Sequence, residues 1–387
     1  MARPSHLRRI NQRRIVTTLL RRGIATRADL AKATGMSQPT AGKIVDDLLA
    51  EKLLESVENG QAGHGEPRMG RPGQLLRLDR TTPRFLAIQL GVTNTRLALA
   101  PVSAPAVDEW SAQFPTARDA QTWVRSLGKA TRQIDSHRVE AVLVSVPGVV
   151  DEKVAQVLLC PNLRWAQTVN IGQLIGQVLA RPVCVVQEIR ALALGHLAVE
   201  GEGGDFLLVD FGDGVGGAAV INGRLFESPI PLSGELGHTP VLGNRRSCGC
   251  GAIGCVETLV SRKGLLETFA TQAHGARSWE ALIAHIARKG VQPWLATALD
   301  AVAVTIAGAI NVLGIRRVVI TGSLTELPPC VVQHVGDSVS RGAMWARFGT
   351  VECFGAPRRR TAGLVWAAID RILLPDEEQP TAADAAP

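Results

Sequence analysis

The sequence predicts a mixed α/β body behind a small, basic module built on paired short helices. Three observations point there. Short apolar, β-rich runs (Phe85–Leu90, Val139–Val146, Val183–Val186, Phe206–Val209, Val318–Ile320) alternate with helical stretches, which is α/β patterning. Helix-start signals at Thr26 and Ser37 stand close together with Gly35 between them. The charge is lopsided: residues 1–80 hold 15 Lys plus Arg against 8 Asp plus Glu, while 81–387 hold 27 of each.

The chain has 387 residues, 46% hydrophobic and 20% charged, with a formal charge of +7. This is ordinary globular composition, and the length suggests two or three domains. It is long enough to bury a sizeable core, which excludes disorder throughout. The longest mostly apolar stretch, Ala301 to Ile315, carries Thr305 and Asn311 and stops at Arg316 and Arg317. It falls short of the roughly 18 to 20 apolar residues of a membrane span. The first residues, Met-Ala-Arg-Pro-Ser-His-Leu-Arg-Arg, lack the apolar segment of a secretory signal. The expectation is a cytoplasmic protein without a membrane partner.

In the basic module, Leu7, Ile10, Ile15, Val16, Leu19 and Leu20 form one helical face, ended by Gly23. Thr26-Arg-Ala-Asp29 reads as a capping box opening a second helix through Leu30, Ala31 and Ala33, which Gly35 stops. Ser37 caps a third, with Pro39 tolerated in its first turn. The third helix buries Ala41, Ile44, Val45, Leu48 and Leu49. A longer helix followed by two short ones across a Gly-containing turn predicts helix-turn-helix. On the third helix, Ser37, Gln38, Thr40 and Lys43 stand off the apolar face, where base edges and phosphates of a major groove would meet them. The polar run Asn59 to Gly73, between apolar strands near Leu53–Val57 and Leu75–Leu78, fits a hairpin wing. Arg71 at its Gly-Arg-Pro tip suits a narrow minor groove. A winged helix-turn-helix over 1–80 that binds double-stranded DNA is therefore expected. The plainer reading is a solvated basic helix and a flexible linker.

Cys160, Cys184, Cys330 and Cys353 read as scattered small hydrophobes. Cys248, Cys250 and Cys255 cluster as Cys-Gly-Cys-Gly-Ala-Ile-Gly-Cys, ten residues after His238. Three thiolates and an imidazole make a closed tetrahedral zinc site, structural because no position stays open. A disulfide with one cysteine left over is the alternative, disfavoured by a reducing compartment.

Ser233-Gly-Glu235-Leu-Gly-His238 precedes this knuckle, and Cys255-Val-Glu257 closes it. Upstream lie Val209-Asp-Phe-Gly212-Asp-Gly214-Val-Gly216-Gly217, Val146-Pro147-Gly148-Val149-Val150-Asp151 and Cys160-Pro-Asn162-Leu-Arg-Trp165. In order and spacing this text resembles the ROK family of repressors, open reading frames and sugar kinases, over about residues 84–370. The resemblance implies a two-lobed, ribonuclease-H-like and actin-like domain, here 81–375, followed by a flexible tail at 376–387. It also implies a sugar site lined by Glu235, His238 and Glu257, with Glu188 at its floor and Asn162 as a further candidate. Carboxylates suit vicinal hydroxyls, which they accept in pairs.

The parts that a ROK kinase needs are altered. Its first phosphate loop reads Gln89-Leu90-Gly91-Val92-Thr93, with Gln for the acidic residue and a β-branched Val for a Gly that lets backbone amides approach phosphate. Asp213 replaces a hydroxyl residue in the later glycine loop, and its charge repels phosphate. The base position carries Gln187-Glu188 in place of Asn-Asp, and one added methylene shifts a base by about an ångström. The late nucleotide loop is reduced to Thr321-Gly322-Ser323. These changes predict no catalytic residue, with Glu188 a degenerate base. The expectation is a homo-oligomeric repressor, dimer or tetramer, that binds a DNA operator and responds to a sugar or sugar phosphate. The alternatives are an ATP-dependent sugar kinase with a DNA-binding appendage and a regulator controlled by a protein partner.

Overall fold

The computed structural model describes residues 4–57, 74–134, 138–200, 204–228, 230–272 and 278–374. The chain packs as two units. One holds residues 1–159, 165–203 and 359–387, and the other holds 160–164 and 204–358. The N-terminal module and the first lobe fall in the same unit.

The module opens with α1 (Pro4–Arg22), β1 (Ala25–Thr26), α2 (Arg27–Thr34) and α3 (Gln38–Ala50). Thr26 and Asp29 form the reciprocal capping box: Asp29 N donates to Thr26 Oγ1 and Thr26 N to Asp29 Oδ2, both at 3.1 Å. Gly35, at φ 72°, closes α2 in the left-handed conformation that a side chain resists. Ile15, Val16, Leu19, Leu30, Ala41, Ile44, Val45 and Leu48 are buried together at the module's centre. Leu7 and Ala33, assigned to apolar faces above, are instead exposed. Leu7, Arg8 and Asn11 of α1 border an open groove with Pro39, Thr40, Lys43 and Ile44 of α3, which leaves Leu7 uncovered among the described residues. β2 (Leu54–Val57) and β3 (Leu75–Leu78) pair antiparallel with Val57 opposite Leu75, and β1 adds to β3. Arg71 and the rest of the expected wing lie outside the described residues, as does the tail at 376–387.

The first lobe follows. β4 (Phe85–Leu90), β5 (Asn94–Ala100), β6 (Ala112–Pro115), α4 (Ala120–Arg132), β7 (Ala141–Val146), the small hairpin β8 (Val149–Asp151) and β9 (Gln156–Leu159), α5 (Ile171–Leu179), β10 (Val183–Gln187) and α6 (Glu188–Glu200) succeed one another. Five strands form a sheet in the order β10-β7-β4-β5-β6. β4 and β7 are buried at every position, which explains their continuous apolar text. Trp123 is fully buried, and its Nε1 donates to Thr95 Oγ1 at 2.8 Å.

The second unit repeats the plan. β11 (Phe206–Phe211), β12 (Val215–Ile221), β13 (Arg224–Leu225), α7 (Glu257–Val260), α8 (Arg262–Gln272), α9 (Trp279–Lys289), α10 (Pro293–Leu313), β14 (Arg317–Gly322), α11 (Cys330–Gly342) and β15 (Glu352–Gly355) give a second five-stranded sheet, ordered β13-β12-β11-β14-β15. α10 is longer than the apolar run noted above and has the length and composition to cross a membrane. Its Leu295, Leu299, Val302, Ile306 and Ile310 are buried in the same core as Val209, Val318 and Ile320 of the sheet, so it serves here as a core helix. The chain then returns to the first unit as α12 (Arg360–Ala368), which continues into the π-helical turn Ile369–Leu373.

Candidate functional site

Four groups of side chains carry chemistry. The first lies on α3. Ser37 is its N-cap, accepting from Thr40 N at 3.3 Å and sharing a hydrogen bond with Thr40 Oγ1 at 2.8 Å. Gln38, Thr40 and Lys43 are exposed at this end of the helix. Asp46 and Asp47 on the next turn pair with Arg27 and Arg8, at 2.8 and 2.5 Å.

The second is the knuckle of the second unit. The ligand atoms of His238, Cys248, Cys250 and Cys255 all lie within 4.8 Å of one another. His238 Nδ1 faces Cys248 Sγ at 3.6 Å, and Cys250 Sγ faces Cys255 Sγ at 3.7 Å. Gly251 and Gly254, at φ 94° and 89°, make the bends that turn the sulfurs inward. Burial, and then hydrogen bonding among the sulfurs, pushes the Cys255 thiol up to about 12. Burial raises Cys248 as well, while at Cys250 hydrogen bonds led by Ala252 N–H outweigh burial and lower it. Three sulfurs and one imidazole nitrogen converging at this range fit a tetrahedral metal ion, whose charge would favour the thiolates.

The flanking carboxylates sit on this frame. Glu235 Oε2 lies 3.6 Å from His238 Nε2, the ring nitrogen turned away from the sulfurs. Glu257, at the start of α7, accepts from Val215 N at 2.9 Å through Oε2, and Cys248 Sγ lies 3.8 Å from its Oε1. It thereby ties the knuckle to the glycine-rich turn before β12, where Gly214 leaves room for the carboxylate. Asn162 is exposed and follows Pro161, which abuts Gly249 of the knuckle. Asn162, Glu235, His238 and Glu257 thus gather in the second unit, whereas Glu188 belongs to the first.

The third group surrounds Glu188. Its Oε1 accepts from Arg360 Nε at 2.6 Å and from Gln89 Nε2 at 3.1 Å. Arg360 is buried, and its Nη1 also reaches Asp108 Oδ2 at 3.3 Å. Arg190, two residues further along α6, pairs with Glu152 at 2.9 Å. Nearby, Gly91 N donates to Asn94 O at 3.2 Å, and a Cβ on Gly91 would lie 2.5 Å from that oxygen. The loop after β4 is therefore a closed turn.

The fourth group is the second unit's glycine cradle. Arg358 donates to Asp210 through Nε and Nη2, at 2.7 and 2.8 Å, and from Nη2 to Phe211 O at 2.8 Å. Its guanidinium lies against Gly212 and Gly322: a Cβ there would stand 2.8 and 2.5 Å from Nη2. Asp213 is exposed at the tip of the turn. Arg358 and Arg360 were not singled out from the sequence. Their signal was the run Arg358-Arg359-Arg360, three adjacent like charges in a body whose charges balance.

The ROK family profile matches residues 85–369. The xylose repressor of Caldicellulosiruptor bescii is 28% identical over 268 residues, covering 67% of this chain and 66% of its own length. The N-acetylmannosamine kinase of Escherichia coli O157:H7 is 26% identical over 192 residues, covering 49% of this chain and 66% of the kinase. A solved ROK family transcriptional regulator, a homologue of the E. coli MLC protein, superposes with a TM-score of 0.70 at 21% identity, covering 94% of this chain and 97% of its own. With the knuckle, the glycine-rich hairpin and the two sheets in place across that profile, the chain belongs to the ROK family.

Proposed function

We propose that the protein is a sugar-responsive transcriptional repressor without kinase activity. The observation that carries this reading is the pair of short helices α2 and α3, joined by a tight turn and standing before a ROK body, with Gln38, Thr40 and Lys43 exposed at the start of α3; we read the pair as a helix-turn-helix. Those residues, with Ser37 and Arg71, are the proposed contacts to an operator duplex. The kinase parts speak the same way. A general base needs a free carboxylate near the proton it takes, and Glu188 already holds an arginine and an amide. A nucleotide's phosphates need open backbone, and Arg358 fills the space beside Gly212 and Gly322.

The effector is a sugar or sugar phosphate held by Asn162, Glu188, Glu235, His238 and Glu257. The metal is zinc, bound by Cys248, Cys250, Cys255 and His238 Nδ1, and it shapes the Glu235–Glu257 segment without reacting. The protein acts in the cytoplasm as a homodimer. On α10, Val304 and Val312 are 73% and 87% exposed, beside the exposed Met344, Trp345 and Phe348. Asn311 joins the two segments through Gly342 O and Met344 N, and exposed apolar side chains on two joined segments suit a second copy.

The test is capture of genomic fragments by the full chain, repeated with a panel of free and phosphorylated sugars. Enrichment of a few fragments sharing an inverted repeat, abolished by one sugar, is the expected result. No enrichment at moderate salt, where sequence-independent binding is suppressed, would overturn the repressor reading. ADP release with any hexose would overturn the non-enzymatic part.

A further inference from the structure

One helix of the first unit touches both Glu188 and the helix-turn-helix module. At its start, Arg360 grips Glu188 Oε1 at 2.6 Å, and Thr361 N donates to Asp108 Oδ1 at 2.9 Å. Past its end, in the turn Ile369–Leu373, Asp370 Oδ1 lies 2.9 Å from Arg13 Nε on α1. The next residue, Arg371, pairs with Glu152 and donates to Val185 O at 3.2 Å. Glu152 Oε1 in turn accepts from Gln187 N at 2.7 Å, and Gln187 precedes Glu188 in the chain. The junction of β10 and α6, where Glu188 sits, is therefore tied to the π turn by two routes, one along α12 and one through Glu152.

The middle of α12 is rigidly seated. A Cβ on Gly363 would collide with Ala191 O of α6, and one on Gly195 with Arg359 O, so the two helices meet backbone to backbone. Packed elements of this kind transmit displacement and do not absorb it. π turns within helices recur at functional positions. The Arg13–Asp370 pair has both side chains a third exposed, which makes it a weak contact, suited to being made and broken.

We propose that α12 is the rod that carries effector binding to the DNA-binding module. It senses through the Glu188–Arg360 pair and delivers through Asp370–Arg13. A ligand whose hydroxyls compete for the Glu188 carboxylate loosens the grip of Arg360, and the locked α6–α12 pair passes that change to α1. Asp370, Arg371, Glu152 and Arg13 are then positioning residues for regulation. The inference rests on the reading of Glu188 as an effector ligand.

The test uses the full chain and a duplex carrying a fragment that it selects. Glu188→Gln mimics loss of the pair without any sugar. Coupling predicts that it changes duplex affinity at least about fivefold, and less than about twofold when Asp370→Asn is also present, the signature of interacting sites in a double-mutant cycle. Arg13→Gln should abolish the effect as Asp370→Asn does. Asp108→Asn, which loosens Arg360 without altering Glu188, replaces Glu188→Gln if that variant fails to fold. Equal effects in the two backgrounds, or no effect in either, overturn the proposal. Amide exchange of α1 in the same proteins, without DNA, separates the two failures. If no fragment is selected, the repressor reading falls. The rod is then still upheld if Glu188→Gln alters α1 exchange only with Asp370 intact, and overturned otherwise.

Discussion

Glu188 is an ion already held in place, by Arg360 at 2.6 Å and Gln89 at 3.1 Å. Removing one partner of a buried pair leaves the other charge uncompensated, at a cost of about 3–5 kcal/mol. Arg360→Ala should therefore lower stability by about 3 kcal/mol, the lower end because the Glu188 side chain is 21% exposed. A urea midpoint unchanged from the parent chain would contradict this. Asp79 gives a pH prediction. It is buried at the join between the module and the first lobe, and burial alone would raise its pKa. Hydrogen bonds from Thr82 and Thr81 outweigh that and hold it below its ordinary value of 3.8. The folded state thus favours the ionised form, so this stabilisation is complete above the ordinary carboxylate range and is lost as pH falls through the lowered folded value. Asp79→Asn should destabilise the chain at pH 7 and narrow its gap from the parent as acid is added, measured as urea midpoints at several pH values. At the knuckle, the proposed zinc would lose one of its four ligands in Cys255→Ser, so that variant should retain no metal after dialysis where the parent chain does.

Between elements, the contact of α6 with α12 depends on two missing side chains. Gly363→Ala places a methyl where Ala191 O already sits, and such overpacking costs about 1–3 kcal/mol or more. A melting temperature equal to the parent's would show that the helices can part freely. The elements themselves were largely legible. The five apolar runs became β4, β7, β10, β11 and β14, because strands buried on both faces leave continuous apolar text. Thr26, Gly35 and Ser37 marked helix ends because caps use side-chain oxygens and left-handed glycines that the sequence displays. The clustering of His238, Cys248, Cys250 and Cys255 was legible because they are near neighbours in the chain. Arg358 and Arg360 were not, since each acts on a carboxylate more than 140 residues away and only folding brings the pair together. Leu7 misled because helical spacing records which side faces inward, not whether anything covers it.

For the molecule as a whole, the basic residues and the His238–Cys255 cluster belong to different units, and this predicts which functions separate. Of the 15 Lys and Arg residues in 1–80, Arg8 and Arg27 are already paired with Asp47 and Asp46, so fewer cations there are open to phosphate. DNA affinity should consequently fall with salt less steeply than the about 10³- to 10⁵-fold loss, between 50 and 200 mM, of proteins with six to ten phosphate contacts. The knuckle belongs to the other unit. Structural zinc supplies on the order of 10–16 kcal/mol in small zinc-dependent peptides, so its removal should collapse the segment from Glu235 to Glu257 and leave α1–α3 folded. A chelated chain should therefore bind its duplex within about threefold of the untreated chain, a difference under 1 kcal/mol, while losing its response to sugar. Sugar response surviving chelation would mean that Glu235 and Glu257 are positioned without the metal. Loss of DNA binding as well would mean that the two units do not fold independently.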